Sequence, residues 1–174
     1  MYVGILTVFF SVCFSASAQI DDFQKEVINY LNINGTRQQY GEAFEEVFPL
    51  LKRNFSKFDI PNKEWEKLRK DKTEQVDEVI RMLSFAYRKH FTREEIAAMT
   101  QFYETEAAQK MIKQKSLSAS ETKVVQDFFN SEVGEKIETV RPALSKDVEI
   151  ISSDWSKELF GSKMSTLVKD GYVY

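Results

Sequence analysis

Reactive chemistry in this 174-residue chain would have to come from one histidine and from carboxylates. His90 is the single histidine and Cys13 the single cysteine. A general base or metal ligand at His90 needs partners, and the sequence after Cys13 offers neither a second imidazole nor a thiolate to supply them. At the end of a helical stretch, His90 suits the negative helix carboxyl terminus instead. Acids are plentiful, with Glu42, Glu45 and Glu46, then Glu94 and Glu95, then Glu104 and Glu106. Close pairs of carboxylates can move protons or hold a hard cation. Each pair here has a local explanation in a helix cap or a solvated face, and no calcium-loop pattern accompanies them. Phosphate-loop, dinucleotide, nucleophile-elbow and zinc-protease motifs do not occur. The expectation is no catalytic residue, no metal and no cofactor.

The aromatic residues Tyr87, Phe91, Phe102, Tyr103, Phe128 and Phe129 raise a different possibility. They either fill a core or line an inter-helix pocket for a small apolar ligand. Their positions belong to a duplication: residues 91–111 recur as 117–137, 26 positions on, so that Phe102-Tyr103 falls on Phe128-Phe129. Thr92 with Glu95, and Ser118 with Glu121, carry the spacing of a capping box, in which hydroxyl and carboxylate each accept the other's backbone N–H. Thr105 and Ser131 then restart each unit as second N-caps, making each copy a helical hairpin.

Elements that would hold these residues follow from apolar spacing. Phe23, Val27, Tyr30 and Leu31 mark a first helix ending near Asn34-Gly35; Tyr40, Phe44, Val47, Leu51 and Phe55 mark a second, opened by a Thr36/Gln39 capping box. Pro49 predicts a kink or break inside it. Asn62 is the expected N-cap of a third helix carrying Trp65 and Leu68, and a break is expected near Thr73. Val76, Val79, Ile80, Leu83 and Tyr87 define a fourth helix to His90. After Ser131 the stripe Val133, Ile137, Val140, Leu144, Val148, Ile151, Trp155 and Leu159 predicts a helix of roughly 28 residues, bent at Pro142 and closed by Gly161. The fold class expected is all-α, one domain over 19–161 with six or seven helices and a tail at 162–174.

Residues 3–14 form an uncharged apolar run, and Ala16 and Ala18 are placed as a cleavage-site pair, so residues 1–18 read as a signal peptide. Export to a periplasmic or secreted location follows as an expectation. No later run is long enough for a permanent membrane span. The net charge of −3, with mixed signs, gives no electrostatic reason to bind nucleic acid or anionic lipid.

The run from Tyr87, with His90-Phe91-Thr92, Glu95 and Phe102-Tyr103, followed by Phe128-Phe129, Ser131, Gly134 and Lys136, resembles the bacterial exported family called domain of unknown function 2059. Leu31–Phe44 and Trp65 are similar to that family's amino-terminal half. Glu106 and Glu132 stand where the family has proline. The resemblance implies an all-helical domain of the bacterial envelope or secreted space, and it implies no activity. The leading expectation is a non-enzymatic module binding an unknown envelope or secreted protein partner. A carrier of a small apolar ligand or lipid comes second, and a carboxylate-based enzyme third.

Overall fold

The structure is a computed structural model and describes residues 21–173. The leader reading of residues 1–18 therefore lies outside the described residues. The described residues are all-helical in one body: α1 Asp22–Ile33, α2 Thr36–Asn54, α3 Asn62–Arg69, α4 Lys72–His90, α5 Arg93–Tyr103, α6 Glu106–Ile112, α7 Ala119–Phe129 and α8 Glu132–Lys169. The all-α expectation is met, with eight helices when the short α6 is counted separately.

The four long amphipathic stripes meet in one core. Val27, Tyr30 and Leu31 of α1, Phe44, Val47, Phe48 and Leu51 of α2, and Val76, Val79, Ile80 and Leu83 of α4 are buried together with Trp155, Leu159 and Leu167 of α8. Burying each large apolar side chain contributes about 2 kcal/mol, so these stripes are the main source of stability. Trp155 brings a polar handle inside and satisfies it, its indole N–H donating to the Gln75 carbonyl at 3.1 Å.

Four sequence expectations about helix ends are corrected. Gly161 does not close the last helix, which runs 38 residues to Lys169. The segment after Gly161 is thus no tail, because Lys163 and Leu167 are buried against the body and reward continuation. Thr36 and Gln39 form no capping box: Gly35, at φ +92°, is the N-cap, and the Asn34 side chain accepts the Thr36 N–H at 3.0 Å. Only glycine adopts that left-handed backbone without strain. The cap of α3 is Pro61 rather than Asn62, and the chain breaks at Lys70-Asp71 rather than near Thr73. Pro49 and Pro142 leave their helices unbroken. Both prolines are exposed, on the side of the helix where water can satisfy a carbonyl that has lost its donor.

The break at Asp71 has a partner that sequence spacing does not reveal. Lys163, only 4% exposed, places its ammonium 2.5 Å from both Asp71 carboxylate oxygens and over the Phe44 ring at 5.4 Å. The pair clamps the carboxyl-terminal turns of α8 to the start of α4. Removing the acid strands a buried cation, whereas replacing the cation by an apolar chain of similar size leaves the cavity filled. Asp71→Ala is expected to lower unfolding free energy by about 2 kcal/mol, discounted because Asp71 is partly solvated, while Lys163→Met stays within about 1 kcal/mol of the parent in urea titration.

Candidate functional site

The duplicated unit folds as the caps dictate. Thr92 and Ser118 each accept the N–H of Glu95 and Glu121, and each glutamate returns its carboxylate to the cap N–H at 2.8 Å. Thr105 and Ser131 accept from Ala108 N–H and Gly134 N–H, giving hairpins α5–α6 and α7–α8. Gly134 cannot be alanine without movement, since a Cβ there would lie 2.3 Å from the Phe129 carbonyl oxygen. The candidate caps are therefore confirmed as helix starts.

These hairpins bring all six aromatic candidates into one run of touching rings. Phe91 stacks on Tyr87 at 6.0 Å, Tyr87 meets Tyr30 at 5.7 Å, and Tyr30 meets the edge of Tyr103 at 5.8 Å. Tyr103 continues to Phe102 at 5.1 Å, and Phe102 lies parallel to Phe128 at 3.9 Å and edge-on to Phe129 at 5.8 Å. Offset and edge contacts of this kind add about 0.5–1.5 kcal/mol per pair beyond burial. Burial pushes the Tyr87 phenol up to about 12 and Tyr30 higher still, with Tyr103 raised for the same reason. Near neutral pH these are uncharged rings that fill space. The two copies are not equivalent in depth: Phe102 is buried, Phe128 half-buried and Phe129 exposed, and α7 contributes no buried residue.

The acids do not converge. Glu42 accepts from Gln38, Glu45 is held between Arg69 and Lys72, Glu46 lies exposed, and Glu95 and Glu121 are spent on separate caps. Glu106 meets Lys110 on the next turn of α6. Among the described residues no three His, Cys, Asp or Glu side chains gather as a metal site requires. His90 pairs with Asp147 of α8 at 2.7 Å, and Lys89 reaches the same carboxylate at 2.9 Å. Those two bonds, Lys89 first, hold the Asp147 carboxyl below its usual range. His90 is thus a tie between α4 and α8 rather than a group at a helix end alone.

That tie edges a surface groove of about 300 Å³, lined by Met82, Phe85 and Ala86 of α4 and by Ile150 and Ile151 of α8. Phe85 and Ile150 are 55% and 53% exposed. Sequence reasoning passed over both, although each carries a legible signal: Phe85 lies off the α4 stripe and Ile150 off the α8 stripe, and an apolar side chain off the buried face must meet solvent or a partner. Tyr30 was likewise assigned only to a helix face, since nothing local says it links Tyr87 to Tyr103.

Glu121 gives the second hairpin an acid-sensitive anchor. Lys110 donates to it at 2.6 Å and Ser118 adds its N–H, bringing the carboxyl from an ordinary 4.5 down to about 2. The unfolded chain then holds the proton more tightly, so acid favours unfolding. The contribution is complete above about pH 4.5 and disappears as pH falls toward 2. Glu121→Gln is expected to flatten this part of the stability profile in acid melts, and an unchanged profile would show the anchor to be idle.

Neither a curated protein nor a solved structure matches the chain. A family model described as an uncharacterized protein conserved in bacteria, the domain of unknown function 2059, matches residues 77–116, from α4 through α6 and its C-cap. Across the stretch that carries Phe91, Thr92, Glu95 and Phe102-Tyr103, the chain is therefore similar to that bacterial family, as the motif implied.

Proposed function

We propose that this chain is a non-enzymatic binding module of the exported compartment, and that its protein partner docks on the α4–α8 groove. The observation that carries this reading is the pair Phe85 and Ile150, two large apolar side chains held outward side by side on the two helices that also make the core. A rigid frame with exposed apolar anchors and a charged rim at Lys89 and Asp147 is the usual anatomy of a protein-binding patch. The separation of the carboxylates supports binding over chemistry.

Carriage of a small apolar ligand is the second reading, and it gains less support. The aromatic run that would line its pocket is packed ring on ring, and the parallel contact of Phe102 with Phe128 at 3.9 Å leaves no room for a molecule between them.

Native mass spectrometry of the protein purified from its own cells separates the two. The expected result is a co-purifying polypeptide that is lost from the Phe85→Asp/Ile150→Asp double variant, with the melting profile nearly unchanged because both side chains are exposed. A partner retained by the double variant rules out the groove, and a retained small apolar molecule favours the carrier.

A further inference from the structure

The net charge of −3 conceals a strong asymmetry. Residues 52–72, from the end of α2 through α3 to the first residue of α4, hold eight basic side chains against four acidic ones. Some are accounted for within the fold: Arg69 and Lys72 by Glu45, and Lys67 by Glu64 and Asp170. Arg53, Lys57, Lys63 and Lys70 are exposed and make no ion pair among the described residues. Lys52 and Arg53 sit in the last turn of α2, where a cation suits the helix dipole. Lys57 lies in the turn beyond that helix and Lys63 at the start of another, so the dipole does not account for them.

The end of α8 lies at the same place. Tyr172 packs its ring against Phe58 at 6.0 Å, and Asp170 takes the Lys67 ammonium at 2.9 Å. This brings exposed Lys169, Val168 and Val173 beside the basic turn, while Leu50 stands 45% exposed one turn before the end of α2. Unpaired cations and exposed aliphatic side chains at the same end of an otherwise acidic molecule match a particular occupant. A nucleic acid or an acidic protein segment would use the charge and leave Leu50, Val168 and Val173 in water. An anionic bilayer uses both, phosphates meeting the cations and the acyl boundary taking the aliphatic groups.

We propose that this tip is a peripheral docking surface for anionic phospholipid. No described helix is long and apolar enough to cross a membrane, and none is needed, since the contact is interfacial. It lies apart from the Phe85–Ile150 groove, so a docked molecule keeps that groove free. The two readings stand or fall separately.

The test is flotation of the full chain with vesicles of phosphatidylcholine alone and of equimolar phosphatidylcholine and phosphatidylglycerol. Comparing variants of the full chain cancels any contribution of residues 1–20. The anionic vesicles are expected to bind more tightly, with the excess lost on adding salt. Replacing Arg53, Lys57 and Lys63 by alanine is expected to weaken that binding about a hundredfold, from roughly 1 kcal/mol for each basic group near the surface. The same replacement at Lys113, Lys115 and Lys146 should leave it unchanged, and Leu50→Ser should weaken what persists in high salt. Equal binding to both vesicles, an unaffected triple variant, or tight binding of duplex DNA or polyglutamate in place of vesicles would each overturn the proposal.

Discussion

The packing of the carboxyl-terminal half of α8 on α4 and α2 is the constraint on which the rest depends. Trp155, Leu159 and Leu167 close a core that the earlier helices leave open, and Lys163 locks the same surface to Asp71. The apolar stripe of α8 recurs every eleven residues, Val133 to Leu144 to Trp155, close to the turn of a straight helix at about 3.67 residues per turn. One continuous face can therefore serve the hairpin at its beginning and the core at its end. That continuity fixes where the second hairpin stands relative to the body, since α7 buries nothing of its own.

What the sequence made legible is what is local. Caps such as Thr92/Glu95 and Ser118/Glu121 are decided within four residues, and the structure places their atoms as the pattern requires. The stripes of α1, α2, α4 and α8 together likewise named most of the core. What stayed hidden depends on distance along the chain. Asp71 and Lys163 are 92 residues apart, so the bond that helps carry α8 past Gly161 has its partner outside any local window, although Lys163 and Leu167 themselves lie close after the glycine. Thr36 is not the cap because the helix starts one residue earlier: the Gln39 N–H donates to the Gly35 carbonyl at 3.0 Å, and the Thr36 N–H goes to the Asn34 side chain. The six aromatic candidates fall in one run of touching rings, but the order of that run needs Tyr30, whose partners lie on two other helices.

The functional reading rests on the same division. Most side chains that could do chemistry are taken up in caps and ion pairs, Glu95 and Glu121 within their own helices and His90 across to Asp147, and they stay apart in the fold. Among the side chains left uncommitted are apolar ones on the α4–α8 groove and basic ones at the tip formed by α2, α3 and the end of α8. Both are surfaces, and a rigid helical frame presenting surfaces supports a role in holding other molecules.

The most direct check of the central claim is site-specific photo-crosslinking in living cells, with a benzophenone side chain at position 85. The account predicts a discrete adduct with one protein from position 85, matched from position 150 across the groove and absent from position 124 on the exposed face of α7. An adduct at position 124 with none at 85 or 150 would contradict it.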